Sequence, residues 1–287
     1  MEYRRAKLTT RYSPLRYPGG KSKLTNTFKK LIEDNQLESI TYVEPFAGGA
    51  NIALSLLIDG YVSNIIINDI DKAVYSFWFA VLHNSTKFID KIYNCSVDIN
   101  EWHRQKQIIS NTQSSRLDLG FALLFLNRTN FSGIINAGPI GGIEQNSEYK
   151  INARFNKIDI INKIKTIAEF KDRIVLLNLD ALNLIETINN NIGDCLIYFD
   201  PPYYKQGKKL YTNFYNANDH RVLSDSIKHL NVPLVVTYDN VEDIKNLYTD
   251  FQSREFLINY SVNNHTIGKE ILFYNNLSSC NFLTYLK

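Results

Sequence analysis

Short runs of consecutive apolar residues, rich in Val, Ile and Leu, alternate with longer amphipathic stretches along this chain. A continuous apolar run predicts a strand buried on both faces, as in a parallel sheet with helical crossovers. The last two runs are separated by Asn263-Asn264, which favours a hairpin and hence an antiparallel strand. The predicted strands lie at residues 41–43, 65–67, 174–177, 196–199, 234–237, 254–258 and 270–274. This pattern predicts an α/β fold with a seven-stranded, mostly parallel sheet and an antiparallel C-terminal strand.

The stretch between the second and third predicted strands is far longer than one crossover helix needs. Residues 72–126 have the pattern of helices, and a Gly-rich tract follows at residues 132–142. Basic, Asn and aromatic residues then alternate at residues 149–157. We therefore expect residues 1–71 and 170–287 to form the domain that contains the sheet, and residues 72–169 to form an inserted, largely helical subdomain.

The tetrapeptide Asp200-Pro201-Pro202-Tyr203 directly follows the fourth predicted strand. Neither proline can donate a backbone hydrogen bond, so the strand must end at Asp200. Ligands of open α/β sheets bind at the carboxyl ends of the strands. A carboxylate and an unpaired carbonyl can both accept hydrogen bonds from an amino group, and Tyr203 can stack on a flat ring. The motif indicates a site for an aromatic amine, although a turn that merely ends the strand explains it equally well in isolation.

A turn rich in small residues, from Glu44 to Ala50, joins the first predicted strand to a predicted helix. Small residues let a ligand approach the backbone, and a helix N-terminus offers unpaired N–H groups. Asp69 follows the second strand, where a carboxylate binds the ribose hydroxyls in nucleotide-binding α/β folds. These features favour a nucleoside-bearing ligand. The alternative for Asp69 is a cap on the helix that follows it.

Several other classes of function are excluded by spacing and composition. The Gly19-Gly20-Lys21-Ser22 segment is not a phosphate-binding loop, since Leu15 stands where the first glycine is required and no strand precedes it. The net charge is only +3, so the chain has no overall basic character that alone would indicate nucleic acid binding. The three Cys and five His residues are scattered, so we expect neither a disulfide framework nor a metal site. No apolar stretch reaches membrane-spanning length and no signal-peptide pattern opens the chain, so we expect a soluble cytoplasmic protein.

Four motifs follow one another in a specific order: R-Y-P-G-G-K at residues 16–21, V-E-P-F-A-G-G-A at 43–50, N-D-I-D at 68–71 and D-P-P-Y at 200–203. In this order they resemble the Dam-like (alpha-class, D12 class) DNA adenine N6-methyltransferases, which use S-adenosylmethionine. The resemblance extends to N-R-T-N-F-S-G at 127–133 and to T-Y-D at 237–239, and it spans about residues 13 to 275. It implies a Rossmann-like catalytic domain that binds S-adenosylmethionine, and a target-recognition role for the insert.

The resemblance also implies residue roles. Asp200 and the Pro201 carbonyl would accept the amino hydrogens of an adenine flipped out of the duplex, and Tyr203 would stack on it. The implied catalytic set is Asp200, Pro201, Pro202 and Tyr203, and the implied cofactor contacts are Tyr17, Lys21, Glu44, Phe46, Gly48, Gly49, Asp69, Ile70, Asp180, Ala181 and Asp200. Lys21 would neutralise the cofactor's carboxylate, and Asp69 would hold its ribose. A helix cap is the alternative for Asp180. Ala50 replaces a Gly common in the family, so we expect weaker or slightly shifted cofactor binding.

The insert carries the candidates for DNA contact, because Arg can bond guanine, Asn can bond adenine and Lys reaches phosphate. The candidates are Arg128, Thr129, Asn130, Lys150, Asn152, Arg154, Asn156 and Lys157; the alternative is an ordinary solvated loop. The expected partner is double-stranded DNA, and we expect a monomer to bind it. We expect a bacterial or phage-type protein associated with the nucleoid. A cognate restriction endonuclease would act separately. Two other functions stay open: a catalytically silent DNA-binding regulator on the same fold, and an RNA adenine methyltransferase.

Overall fold

The computed structural model describes residues 11–16, 21–111, 113–191, 194–205, 214–260 and 266–286. Seven strands within these residues form one sheet in the order β3-β2-β1-β4-β5-β7-β6. The strands are β1 (Thr41–Glu44), β2 (Asn64–Asn68), β3 (Ile174–Leu177), β4 (Cys195–Phe199), β5 (Leu234–Asp239), β6 (Gln252–Tyr260) and β7 (Thr266–Asn275). Strands β1 to β5 pair in parallel, and β7 runs antiparallel to both β5 and β6. The predicted sheet is confirmed, including its antiparallel C-terminal strand.

The order of the strands fixes where a ligand can bind. From β1 the chain moves outward to β2 and β3, and it then returns to the other side of β1 to add β4 and β5. The loops after β1 and β4 therefore leave the sheet in opposite directions, which opens a crevice at the carboxyl ends of these two strands. The turn that begins at Pro45 and the tetrapeptide that begins at Asp200 both lie at this point.

Helices fill the connections between the strands. They are α1 (Thr25–Asp34), α2 (Asn51–Ile58), α3 (Lys72–His83), α4 (Ser85–Asn94), α5 (Ile99–Ser110), α6 (Arg116–Thr129), α7 (Lys157–Glu169), α8 (Ala181–Asn191), α9 (Ala217–Lys228) and α10 (Glu242–Leu247). Short 3-10 turns occur at Lys21–Leu24, Phe131–Gly133, Ile151–Arg154, Lys171–Arg173 and Asn281–Tyr285. Helices α3 to α6 confirm the helical character predicted for residues 72–126.

The chain divides into two compact units. The first unit contains Lys21–Asp71 and the residues from Arg173 onward, and the second contains Lys72–Asp172 together with residues 12–16. The sequence places residues 12–16 with the sheet, so the division differs from the predicted boundaries at this segment. The cause is Asn127, near the end of α6, whose side-chain oxygen accepts from the Arg16 amide at 2.7 Å and whose nitrogen donates to the Arg16 carbonyl at 2.6 Å.

Each unit has its own apolar core. In the first, Ile197, Val236 and Phe273 come from three neighbouring strands and are almost fully buried. In the second, Gly120 of α6 lets this helix approach α3 closely, because a Cβ at that position would lie 2.6 Å from the Ser76 carbonyl oxygen. Two independent cores are what a stable insertion requires, since a unit of about a hundred residues can bury enough apolar surface for itself.

Candidate functional site

The carboxylate of Asp200, directly after β4, accepts hydrogen bonds at one oxygen only. Its Oδ1 accepts from the Thr237 hydroxyl at 2.8 Å and lies 3.1 Å from the Lys21 ammonium nitrogen. Tyr198 and Thr237 join their hydroxyls at 2.8 Å; because Thr237 donates to Asp200, the Tyr198 phenol donates to Thr237. Asp200 Oδ2 accepts from none of the described residues, and the side chain is 30% exposed. One acceptor of a partly exposed, fixed carboxylate thus has no donor among the described residues.

The carbonyl oxygen of Pro201 is a second acceptor without a donor among the described residues. The two prolines cause this, since they end the ladder at the residue where the next backbone acceptor would have been paired. The predicted pairing of an acid with an unused carbonyl at the end of β4 is therefore present.

Lys21 is buried beside these groups, at 7% exposure. Its ammonium donates to Glu270 Oε2 at 2.7 Å and to the Thr237 hydroxyl at 3.3 Å, and it forms an ion pair with Asp200. An ammonium has three hydrogens, and these three acceptors can use all of them. The acceptors of Lys21 among the described residues are thus protein groups, and its neutralisation of a cofactor carboxylate stays a prediction.

Glu270, which the sequence did not single out, is fully buried on β7. Its Oε1 accepts from the Tyr203 phenol at 2.7 Å, and its Oε2 accepts from Lys21 at 2.7 Å. The Lys21 nitrogen also lies 5.3 Å from the centroid of the Tyr203 ring. Tyr203 is only 6% exposed, so most of its side chain is covered by neighbouring residues.

The protonation of this cluster depends on mutual stabilisation. Burial alone would lower the pKa of Lys21, but the neighbouring Asp200, Tyr203 and Glu270 raise it well above its ordinary value. Burial raises the pKa of Asp200, Lys21 opposes that shift, and Glu270 adds to it. Lys21 is therefore charged at neutral pH, and it is the cation that allows an acid in this position to ionise.

The turn after Asp200 is fixed from β5. Asp239, the last residue of that strand, accepts from the Tyr204 amide at 2.9 Å and from the Lys205 amide at 3.1 Å. Two residues earlier, Thr237 holds Asp200 itself. The Thr237-Tyr238-Asp239 segment thus positions the tetrapeptide at both ends.

The small-residue turn after β1 is held by two carboxyl groups, of which Glu44 is buried and Asp69 is half-buried. Glu44 accepts from the Ala53 amide in the first turn of α2 at 3.0 Å, and burial raises its pKa to about 8. Asp69 accepts from the Gly48 amide and from the Asp71 amide, each at 2.9 Å, and burial raises its pKa to about 7. The Asp71 contact is the local, capping-type interaction that the alternative for Asp69 describes, while the Gly48 contact joins Asp69 to the turn.

Asn68 joins three loops at the carboxyl edge of the sheet, a role that the sequence did not indicate. Its side-chain nitrogen donates to the Pro45 carbonyl at 2.9 Å and to the Leu179 carbonyl at 3.0 Å. Its oxygen accepts from the Leu179 amide at 2.9 Å. The turn after β1, the end of β2 and the loop before α8 therefore form one framework.

The other predicted cofactor contacts differ in exposure. Ile70 is 44% exposed, which suits an apolar side chain that covers a flat ligand. Asp180 Oδ1 accepts from the Leu182 amide at 2.9 Å, so the helix-capping alternative describes its observed contact, and Ala181 is buried. Phe46 packs edge-on against Tyr215, with ring centroids 5.8 Å apart.

Two positions in the same turn carry observations of their own. Ala50 has φ 47° and ψ 31°, the left-handed conformation that favours glycine. Next to it, the side-chain amide of Asn51 has both its oxygen and its nitrogen buried without a hydrogen-bond partner in the part of the chain that the structure describes. A donor and an acceptor side by side match the carboxylate and ammonium of an amino acid, so this corner suits the methionine end of S-adenosylmethionine. Tyr17 lies outside the described residues.

In the second unit, two predicted DNA contacts are wrong. Thr129 and Asn130 are fully buried, and the Thr129 hydroxyl donates to the Phe125 carbonyl at 2.7 Å. The Asn130 side chain accepts from Trp102 Nε1 at 2.7 Å and donates to two loop carbonyls, those of Ile134 and Ile135, at 2.9 Å each. Their polar atoms hold the end of α6 to the loop that follows, so they cannot reach a base.

Two further candidates have structural partners. Asn156 caps α7 by accepting from the Asp159 amide at 3.1 Å, and the Lys157 ammonium donates to the Tyr93 and Cys95 carbonyls at the end of α4. Lys150 donates to the Gln145 carbonyl and remains exposed. Asn152 and Arg154 are exposed side chains in the 3-10 turn at Ile151–Arg154.

Three arginines influence one another in the second unit. Burial lowers the pKa of Arg128 to about 10, and the Arg16 and Arg154 charges contribute to this shift. Burial also lowers the pKa of Arg16, again with a contribution from Arg154. Arg16 Nη1 and Arg128 Nε are buried without hydrogen-bond partners among the described residues. Guanidinium groups that repel one another and have unused donors suit an anion.

Comparison with known proteins identifies the family. Residues 17–260 match the model of the D12 class N6 adenine-specific DNA methyltransferases. The chain belongs to this family. The match includes all the predicted catalytic residues and ends before Glu270. The contacts of Glu270 in this structure, and not the family match, therefore identify it as part of the site.

Two relatives are similar in sequence to this chain. Modification methylase StsI of Streptococcus sanguinis is 28% identical over 232 residues, which cover 74% of this chain and 32% of the relative. The chain thus spans about a third of that relative's length. Type II methyltransferase M.CviBI of Paramecium bursaria Chlorella virus NC1A is 22% identical over 263 residues, which cover 90% of this chain and 95% of the relative. Among solved structures, the SAM-dependent methyltransferase from Agrobacterium tumefaciens covers 89% of this chain and 62% of its own, with 11% identity and a TM-score of 0.43.

The structure also bears on metals and membranes. Within the described residues, no group of three or more His, Cys, Asp or Glu side chains is arranged to hold a metal ion. None of the helices described above combines the length and the apolar character needed to cross a bilayer.

Proposed function

We propose that this protein transfers a methyl group from S-adenosylmethionine to the exocyclic amino group of adenine in double-stranded DNA, at a specific site. The observation that carries the proposal is the pair of acceptors at the end of β4, Asp200 Oδ2 and the Pro201 carbonyl oxygen, neither of which has a donor among the described residues. An amino group has two hydrogens, and two acceptors at adjacent positions of one fixed turn can bind both.

The residues around the turn after β1 suit the cofactor. Asp69 and the exposed Ile70 would bind its ribose and adenine, and the unpartnered amide of Asn51 would bind its amino-acid end. When bound, S-adenosylmethionine supplies the methyl group from a sulfonium centre and leaves as a neutral thioether. Glu44 and Asn68 hold the turn in place through the helix start and the neighbouring loops.

The chain's contribution to the chemistry is position and charge. The adenine amine is a poor nucleophile because its lone pair is delocalised into the ring. Hydrogen bonds to Asp200 Oδ2 and the Pro201 carbonyl would turn the lone pair out of the ring plane and toward the methyl group. The amine nitrogen would form the new bond to the methyl carbon as the thioether leaves with the electrons of the broken bond, and one amine proton would be lost to solvent. The Asp200 carboxylate stabilises the positive charge that develops on the nitrogen.

Access to the amine requires base flipping, because an adenine stacked in a duplex cannot reach a turn at a sheet edge. Tyr203 is the proposed stacking partner, and its phenol is anchored to Glu270. We expect Tyr203→Ala to reduce the rise in fluorescence of DNA that carries 2-aminopurine at the target position. An undiminished rise would contradict this role.

The second unit supplies the proposed DNA contacts. Arg16, Arg128 and Arg154 carry mutually repelling charges that phosphate would relieve, and the exposed Lys150 and Asn152 add donors. Cytoplasmic location, a monomeric state on DNA and a separately acting restriction endonuclease accompany this proposal as expectations.

The test is the identity of the product. Purified protein would be incubated with S-adenosylmethionine and duplex DNA lacking N6-methyladenine, and the digested nucleosides would be analysed by mass spectrometry. We expect N6-methyladenine from DNA, none from RNA of the same sequence, and none with Asp200→Ala, which controls for contaminating host enzymes. Binding of DNA with no product, and with no binding of S-adenosylmethionine by calorimetry, would overturn the proposal in favour of a silent regulator.

A further inference from the structure

The geometry points to Glu270 as a positioning residue for methyl transfer. Its two carboxylate oxygens accept hydrogen bonds from the Tyr203 phenol and the Lys21 ammonium. Glu270 would thereby fix the ring that is proposed to stack on the base and the cation that pairs with Asp200. This role rests on the proposed function of the Asp200 turn. Glu270 lies outside the residues that match the family model, and no motif in the sequence includes it.

Strand register explains how Glu270 reaches the site. Glu270 of β7 lies opposite Asp239 of β5, so their side chains project from the same face of the sheet. Thr237 precedes Asp239 by two residues and projects from that face as well. These three side chains therefore contact one group of neighbours: Glu270 contacts Tyr203, Asp239 contacts the turn after it, and Thr237 contacts Asp200.

The contacts of Glu270 divide between its oxygens. Oε1 accepts from the Tyr203 phenol at 2.7 Å, which holds the ring through the atom farthest from the backbone. Oε2 accepts from Lys21 at 2.7 Å, a shorter contact than the 3.1 Å between Lys21 and Asp200. A fully buried carboxylate is costly unless it is paired and hydrogen-bonded, and these two partners give Glu270 both an ion pair and hydrogen bonds.

Sharing of Lys21 has a consequence for Asp200. One ammonium lies between two carboxylates, so Asp200 keeps a larger part of its negative charge than a simple ion pair would leave it. That charge is available at Oδ2, the oxygen proposed to accept from the adenine amine. Loss of the Glu270 charge would draw Lys21 toward Asp200 alone and weaken this acceptor, and it would also weaken the hydrogen bond that holds the Tyr203 ring.

The primary test compares Glu270→Gln with Glu255→Gln in tritiated-methyl transfer to duplex DNA lacking N6-methyladenine. Glu255 is a matched control, because it is an exposed residue on neighbouring β6 that pairs with Lys245. We expect Glu270→Gln to lower kcat on the order of 100-fold, as a small misplacement of reacting groups does. The KM for DNA and the affinity for S-adenosylmethionine should stay within about twofold, and Glu255→Gln should match the wild type.

The acidic limb of the pH profile separates positioning from a merely structural effect. The charges that act on Asp200 are those of Lys21 and Glu270, and Asp200 in turn acts on Tyr42, Glu44 and Tyr198, while Tyr203 acts on Lys21. Glu270 raises the pKa of Asp200 and Lys21 lowers it. Glu270→Gln should therefore shift the acidic limb of kcat/KM to lower pH, and Lys21→Met should shift it to higher pH. A structural defect would reduce the rate without opposite shifts.

Tyr203→Phe provides a second route if Glu270→Gln fails to fold, since it removes only the phenolic oxygen from the same hydrogen bond. We expect Tyr203→Phe alone to lower kcat, and an unchanged kcat would overturn the inference. Where both single variants fold, we expect the double variant to lose less than the product of the two single losses, because the two groups act together. Independent, multiplicative losses would overturn the inference.

The outcomes distinguish this inference from the proposed function. Wild-type transfer by Asp200→Ala would refute the proposed function itself. An inactive Asp200→Ala beside a Glu270→Gln variant with wild-type kcat and an unshifted acidic limb would refute only the role of Glu270.

Discussion

Polar side chains are used differently in the two units of this molecule. At the carboxyl edge of the sheet, Lys21, Thr237 and Glu270 are buried around Asp200, yet one oxygen of Asp200 accepts no hydrogen bond from them. At the end of α6 in the second unit, Thr129 and Asn130 are buried as well, and each has its contacts within the unit. The first arrangement leaves an acceptor without a donor among the described residues, while the second holds a loop to a helix.

Polar residues at a strand end and at a helix end differ in whether the protein itself satisfies the neighbouring backbone groups. Prolines at a strand end prevent the ladder from satisfying the groups beside them, so unpaired acceptors remain. A helix end, in contrast, has its own orphan carbonyls and a following loop that side chains commonly satisfy. Substitutions in each region can test this difference between them.

Replacement of Glu44 by Gln should have the largest effect, seen in how stability depends on pH. The pKa of Glu44 is raised from 4.5 to about 8, so the folded protein keeps a proton that the unfolded chain has lost within this window. Wild-type stability should therefore fall as pH rises from 4.5 to 8, by up to about 1.4 kcal/mol per pH unit from this group. Glu44→Gln should lack that decline. Urea unfolding across this pH range, followed by circular dichroism, would measure the free energy of unfolding, with the exposed Glu186→Gln as control. The same pH dependence of that free energy in the wild type and in Glu44→Gln would contradict this explanation.

The structural role of Asn130 predicts a large loss of stability in the second unit. Asn130→Ala removes the partner of the Trp102 indole and of two loop carbonyls, which should cost about 3 kcal/mol. Both tryptophans, Trp78 and Trp102, belong to this unit, so tryptophan fluorescence during urea unfolding reports on it directly. The exposed Asn152→Ala is the matched control. Equal free energies of unfolding for Asn130→Ala and the control would show that the buried contacts of Asn130 do not contribute to stability.

A smaller effect is expected at the exposed arginine of the second unit. Arg154→Gln should weaken DNA binding by roughly fivefold and reduce the slope of log affinity against log salt by about 1, without loss of stability. Fluorescence anisotropy at several salt concentrations would measure both quantities. Lys165→Gln removes one exposed charge from α7 and should change the slope less. Identical slopes for the two variants would argue against a specific phosphate contact at Arg154.

The smallest effect is expected at Ala50. Its left-handed conformation costs an alanine about 1 kcal/mol, and the greater freedom of glycine in the unfolded chain offsets part of the gain from replacement. Ala50→Gly should therefore raise stability by about 0.5 kcal/mol and tighten binding of S-adenosylmethionine in calorimetry. The same substitution at Ala53, inside α2, should lower stability by about 1 kcal/mol. A loss at both positions would contradict the backbone argument.

Local patterns in the sequence predicted the sheet and the Asp200 turn, because apolar runs and consecutive prolines act over a few residues. They could not predict Glu270, whose partner Lys21 is 249 positions away and which stands at the head of an apolar run. A charged residue bordering such a run was the only available signal. They also suggested that Thr129 and Asn130 were accessible, since burial at a helix end depends on tertiary packing. Lys21 had the expected charge, but only the structure revealed its acceptors.

The rate of a single methyl transfer by Asp200→Ala shows whether the Asp200 carboxylate activates the adenine amine. At saturating S-adenosylmethionine and DNA, we expect a rate more than about a thousandfold below that of the wild type, with unchanged circular dichroism and cofactor affinity. A folded Asp200→Ala variant that transfers methyl groups at the wild-type rate would contradict that role of Asp200.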